Sequence, residues 1–189
     1  MPLTFLDIAS SRAAMACDDQ SLGELFLENT KLHPRLTTKV AKGVNASGKS
    51  YPFAPRVPVS DDLAPRLAVP ADIMMPLELY LVARGGLYHY NAGGRELEVL
   101  PGLPNAVPAL FPADVEVPEV TVCIVVTGVP LRVTAMHGER GYRAMLLQAG
   151  RVAQYVGGRA IDRFFDDRVS ALIGVDGVNE VPLVLLALN

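Results

Sequence analysis

The chain has 189 residues, half of them hydrophobic and one in five charged, with a net charge of −3 at pH 7. That length suits one domain of roughly 150 residues with an arm, and it can bury about 70% of the unfolded surface without a disulfide or metal staple. The composition excludes a disordered chain. The negative balance argues against a nucleic-acid surface, which rests on many phosphate contacts. Apolar runs such as Val181 to Leu188 fall well short of the roughly 18 residues of a membrane span.

No basic start followed by an apolar core opens the sequence, so no signal peptide is expected. Cys17 and Cys123 form neither a zinc pattern nor a disulfide framework, and Cys123 reads as a small core residue inside an apolar run. A reducing, cytoplasmic compartment is the expectation. The only lysines are Lys31, Lys39, Lys42 and Lys49. Beyond Lys49, then, no lysine is available as a base or proton donor.

Residues 4–30 predict an amphipathic helical region. Ser21 and Glu24 make a capping box, and Leu22, Leu25 and Phe26 continue as an i, i+3, i+4 stripe. Residues 31–75 predict a long irregular connection, because His33-Pro34, Pro52, Pro55, Pro58 and Pro65 break any periodicity. Leu77 to Val82 predicts a strand. Gly85-Gly86 predicts a turn, Leu87 to Tyr90 a second strand, Asn91 to Gly94 a turn and Glu96 to Leu100 a third strand. The prolines at 101, 104, 108, 112 and 118 exclude a long helix there. Val120 to Thr127, nearly all β-branched, predicts a central buried strand.

Tyr142 to Tyr155 predicts the best helix, with Tyr142, Met145, Leu146, Ala149, Val152 and Ala153 on one stripe. Gly150 beside that stripe costs about 1 kcal/mol relative to alanine, so close packing against a neighbour is expected there. Asp166 to Ile173 predicts a short helix stopped by Gly174, and Val181 to Leu188 a final buried strand. The order of elements is that of an α+β fold around a mixed sheet.

Generic motifs give no reaction. There is no P-loop, dinucleotide fingerprint, zinc-protease helix or nucleophile elbow, and no metal site is expected. His89, between two tyrosines in a strand, reads as a sheet-face residue. Asp18-Asp19 and Asp166-Asp167 read as charges favoured at helix starts. Gly157-Gly158 reads as a helix C-cap turn whose amides could also meet an anion.

Three stretches together resemble the SagB-type dehydrogenases of the nitroreductase superfamily. The first is Met75 to Val82 followed by Gly86 to Tyr90 and Glu96 to Leu100. The second is Gly138-Glu139-Arg140-Gly141-Tyr142-Arg143 running on to Gln154. The third is Phe165 to Gly177, continuing through Glu180 to Leu188. The resemblance implies a nitroreductase-like α+β fold with a mixed sheet flanked by helices, forming a single domain over residues 1–189. It also implies a homodimeric or heterodimeric flavoprotein with FMN at the subunit interface. Such enzymes oxidise azolines to azoles in peptide natural products. FMN takes the hydride while the protein positions the substrate carbon and removes a proton.

At the family's functional positions this sequence departs from the pattern. The family's arginine-rich FMN-phosphate segment aligns with Ala9 to Met15, leaving Ser11 and Arg12 but placing Ala9, Ser10 and Ala13 where arginines stand. The small-residue turn against the flavin aligns with Val69-Pro70-Ala71-Asp72. Here Pro70 removes an amide donor and Asp72 replaces a glycine with a charge. Arg66 matches.

The Lys-Tyr dyad that removes the proton aligns with Met136-His137, so His137 is the one candidate base. The family's Glu and His on the following helix appear as Gln148 and Arg151. The region after Gln154 is shorter by about two helical turns, and the C-terminal arm is not expected. Gly157 and Gly158 complete the aligned cofactor-facing positions. The resemblance therefore implies a degenerate subunit, a structural partner of an active FMN-dependent dehydrogenase in a peptide-modifying complex. The alternatives are an active FMN-dependent oxidoreductase with a rewired site, or a protein that keeps a flavin-sized pocket for another ligand.

Overall fold

The computed structural model describes residues 48–83, 86–102, 109–116 and 122–188. Among these, seven strands form one sheet: β1 (Arg56–Pro58), β2 (Leu77–Ala83), β3 (Gly86–Asn91), β4 (Glu96–Leu100), β5 (Val122–Gly128), β6 (Arg159–Ile161) and β7 (Val181–Leu188). Their spatial order is β1-β4-β3-β2-β5-β7-β6. The helices are α1 (Ala64–Leu67), α2 (Ala71–Met74), α3 (Pro130–His137), α4 (Arg140–Val156) and α5 (Asp166–Ile173).

The α+β class expected from the sequence stands, with one difference. Every described pairing is antiparallel, so the sheet is not mixed in direction. The reason lies in the connections. Strands β2, β3 and β4 form a meander through short turns, and antiparallel neighbours need no long crossover.

Period-two alternation sorts the strand side chains onto two faces. On one face Leu77, Leu79, Leu81, Tyr90, Leu97, Ile124, Val126 and Leu186 pack against Met145, Ala149, Val152 and Val156 of α4 and Val133 of α3. On the other, Val82, Leu87, Leu100, Cys123, Val125 and Leu185 pack against Val169 and Ile173 of α5 and Leu110-Phe111. Strand β2 is covered from both sides, which is why it reads as a nearly continuous apolar run.

Two of the resemblance's glycines have a packing explanation. Gly138 ends α3 with φ +58°. A Cβ on Gly141 would lie 2.6 Å from the Val133 carbonyl carbon, so the start of α4 crosses α3 in backbone contact.

The structure also contains elements the sequence pattern did not indicate. Helix α3, strand β6 and, within the irregular connection, β1, α1 and α2 are each three to eight residues long. Elements so short carry too few repeats to show a period. Proline stands at the first turn of α1 and α3, where its missing N–H costs nothing.

Candidate functional site

Ser11 and Arg12, with the rest of the aligned phosphate segment, lie outside the described residues. The remaining aligned positions fall in two places. Arg66, Pro70, Ala71, Asp72, Gly157 and Gly158 lie on or beside α1, α2 and the end of α4, three helices packed together. The Arg66 Nη1 donates to the Val156 carbonyl at 3.0 Å, and Gly157 follows as the C-cap with φ +72°. Arg66 therefore closes the C-terminus of α4, where a cation meets orphan carbonyls and the negative end of the helix dipole. Pro70 is the N-cap of α2, and Asp72 sits exposed in its first turn. His137 lies elsewhere, exposed in the last turn of α3, with no hydrogen bond or ion pair among the described residues.

The described part of this set does not by itself fit a flavin phosphate. Its one cation is committed to a helix end, its proline lacks an N–H, and its aspartate carries charge of the same sign as the ligand. A phosphate without charged donors is costly to bury.

A second constellation, which the sequence motifs did not reveal, occupies the α5 face of the sheet. His89 is fully buried between two buried carboxylates. Its Nδ1 lies 2.9 Å from Glu98 Oε2 and its Nε2 lies 3.0 Å from Glu78 Oε2. Each ring nitrogen thus faces a carboxylate oxygen within hydrogen-bond distance. The chain 48–51 straps across this triad. The Lys49 amide donates to Glu78 Oε1 at 2.6 Å, the Ser50 hydroxyl to Glu98 Oε1 at 3.0 Å, and the Tyr51 amide to Glu98 Oε2 at 3.0 Å. Asn91 Nδ2 also donates to Glu98, at 3.0 Å, and Arg132 pairs with Glu78.

Next to the triad stands Glu180. Its Oε1 accepts from the Tyr80 and Thr127 hydroxyls at 2.8 and 2.7 Å, and its Oε2 accepts from Lys49 Nζ at 3.0 Å. Lys49 Nζ also donates to Tyr80 Oη at 3.0 Å. The turn that presents Glu180 is built by Asp176, whose carboxylate accepts the amides of Val178, Asn179 and Glu180.

Burial alone would raise the pKa of both carboxylates of the triad. Hydrogen bonds from His89, the Lys49 amide and Arg132 outweigh it and hold Glu78 below the ordinary carboxylate range. At Glu98, burial is outweighed by bonds from His89, Asn91, Tyr51 and Ser50, which hold it at about 2. Burial lowers the Lys49 pKa, but neighbouring Tyr51 and Glu180 outweigh it and raise it, so the ammonium persists. Tyr80 is raised by burial and by the Glu180 charge and stays a neutral phenol. At neutral pH the network is thus a set of fixed charges and donors. Cys123, pushed up to about 12 by burial, is not a nucleophile.

One signal for this network was present in the sequence. Glu78 shares a sheet face with Tyr80 in a strand flanked by large apolar residues, and Glu98 stands in the same relation to Leu100. A buried strand tolerates such a charge only when it is paired.

No family model and no curated protein matches the sequence. Solved structures do. A protein assigned as a nitroreductase from Anabaena variabilis superposes with a TM-score of 0.73 at 19% identity, over 89% of this chain and 46% of that one. This chain therefore spans about half the length of that relative. The E. coli microcin synthetase McbBCD complex with truncated pro-MccB17 bound contains a chain that matches with a TM-score of 0.57 at 16% identity, over 93% of this chain and 84% of that one. A protein assigned as a nitroreductase from Ralstonia eutropha matches with a TM-score of 0.53 at 14% identity, over 79% and 84%. The seven-stranded sheet and its flanking helices thus share a fold with two structures assigned as nitroreductases and with a chain of the McbBCD microcin synthetase complex.

Proposed function

We propose that the protein is a degenerate nitroreductase-like subunit that partners an active FMN-dependent dehydrogenase in a complex modifying peptide natural products. The observation that carries this reading is the likeness to a chain of the microcin synthetase complex over nearly the whole of both chains. The eroded cofactor positions support the degenerate part. Arg66 is tied to Val156, Pro70 and Asp72 replace amide donor and glycine, and Met136 stands where the dyad's lysine is expected.

Helix α4 supports the partner role. Its buried stripe faces the sheet, while Tyr142, Leu146, Leu147 and Tyr155 leave 40%, 48%, 65% and 52% of their surface exposed. Gly150 lies exposed among them, with nothing within 4 Å of the position its Cβ would take. Exposed apolar residues along one helix suit an association surface, and a glycine among them lets a second helix approach closely. Both a second copy and a nitroreductase-like flavoprotein fit such a surface.

The alternative, an active FMN-dependent oxidoreductase using His137, needs cofactor contacts from residues before Gly48 or from a partner. The test is the visible spectrum and an FMN titration of the purified chain, alone and with any flavoprotein encoded beside it. The expected result is a colourless chain that quenches little flavin fluorescence, and a yellow complex. Each lost charge-assisted bond to the phosphate removes about 1.5–3 kcal/mol, so two such losses weaken FMN binding by hundreds-fold or more. Stoichiometric binding by the chain alone at micromolar concentration would overturn the reading in favour of the active enzyme.

A further inference from the structure

The network around Glu180 opens onto a cleft of about 440 Å³ whose lining includes Lys49, Arg132, Asp176, Asn179 and Glu180. The hydrogen-bond inventory of this cleft is lopsided. Its acceptors are taken. Glu180 receives Tyr80, Thr127 and Lys49. Asp176 receives three backbone amides and the Asn179 side chain, at 2.6 Å.

Among the described residues its donors are not all used. Lys49 has three N–H bonds and spends two, on Tyr80 and Glu180, while its side chain remains 32% exposed. Arg132 has five. It spends one on Glu78, and its Nη1 makes only long contacts of 3.4 and 3.5 Å to the Met75 and Leu77 carbonyls. Arg132 lines the cleft, with 13% of its side chain exposed. Two cations with spare donors, held in place from behind by buried carboxylates, are pre-organised to receive an acceptor.

We propose that this cleft is a binding site for an organic carboxylate, gripped by Lys49 and Arg132. The charge of the lining selects among anions. Glu180 and Asp176 stand beside the two cations, so the wall is close to neutral. A singly charged carboxylate meets the spare donors with little repulsion, whereas a phosphate dianion would face two fixed negative charges at short range. Asn179, exposed at the rim, is available to a neighbouring amide of the same ligand. The site includes neither Arg66 nor Asp72 and does not depend on the flavin reading.

The experiment is an NMR titration of the full chain with N-acetylglycine, with N-acetylglycinamide and with inorganic phosphate, following the amide signals of Lys49, Gly174, Asn179 and Glu180. The acid should shift these signals saturably at millimolar concentration. The amide, identical except for the charge, should bind at least tenfold more weakly, and phosphate should also be weaker than the acid. Lys49→Met should weaken the acid at least tenfold. Arg168→Gln, which removes a cation stacked on Phe165 in a different groove, should leave binding unchanged. Equal shifts from acid and amide, or unaltered binding by a folded Lys49→Met chain, would overturn the proposal. Phosphate binding as tightly as the acid would overturn the carboxylate assignment. The acid–amide comparison uses the unmodified chain, so it decides the matter even where the variant does not fold.

Discussion

Glu98 offers the sharpest test of the buried network. Its carboxylate is fully buried and accepts from His89, Ser50, Tyr51 and Asn91. Glu98→Gln keeps the shape and removes the charge. The side-chain pKa falls from an ordinary 4.5 to about 2, and although burial opposes the fall, the four donors overcome it. At about 1.4 kcal/mol per pH unit, that depression stabilises the fold by about 3 kcal/mol at pH 7. Because the folded pKa is depressed, this stabilisation is present above the unfolded value and is lost as pH falls through the folded one. The window runs from about pH 4.5 down to about pH 2. For a chain of this size 1 kcal/mol moves Tm by about 2–4 °C, so the variant should melt about 6–12 °C lower at pH 7. Near pH 3 the gap should shrink to about half or less, since Glu98 is then protonated in the unfolded chain while still ionised in the folded one. Thermal unfolding by circular dichroism at pH 7, 5, 4 and 3 reads both quantities. A drop below about 2 °C at pH 7, or a gap constant from pH 7 to pH 3, would refute the reasoning.

Four further outcomes follow from three single positions. Tyr80→Phe removes a hydroxyl that donates to Glu180 and accepts from Lys49; it should cost about 1–3 kcal/mol in urea unfolding, because Lys49 and Glu180 each lose a partner in a buried setting. Gly158→Ala should destabilise by more than 1 kcal/mol, since φ is +89° and the new Cβ would lie 2.5 Å from the Ala187 carbonyl oxygen. Gly150→Ala should instead raise stability by up to about 1 kcal/mol, because the helix gains propensity and nothing stands in the way. Gly150→Leu should leave the melting curve intact while weakening association in ultracentrifugation, where overpacking a close helix contact costs about 1–3 kcal/mol; unchanged association would remove α4 from the interface.

Much of the fold was legible in the sequence because its long elements repeat. Strands β2, β4 and β7 and helices α4 and α5 fall within two residues of the expected bounds, since each carries enough turns or alternations to declare its period. The Gly157 cap, the acidic start of α5 and the buried Cys123 were legible for the same local reason. Beyond the two successive hairpins of β2, β3 and β4, strand direction was not. Alternation says which residues share a face and nothing of which neighbour pairs on either side, so the antiparallel character of the sheet emerged only from the pairing of β2 with β5 and of β5 with β7.

The candidate sites divide in the same way. The aligned cofactor residues could be named from the sequence, but Arg66 proved to be spent on the α4 carboxyl end, and His137 to have no side-chain partner among the described residues at the end of α3. The Glu78–His89–Glu98 triad, its strap at Lys49 to Tyr51 and the Glu180 cleft join residues up to 131 positions apart. No spacing motif spans such a distance. What the sequence determined by itself was periodicity, capping and the departures from a family pattern, all of which are local. What the tertiary structure alone decided was which charges meet. A carboxylate in a strand is a surface residue or a buried partner according to what the other elements bring to it, and that depends on the packing of the whole sheet.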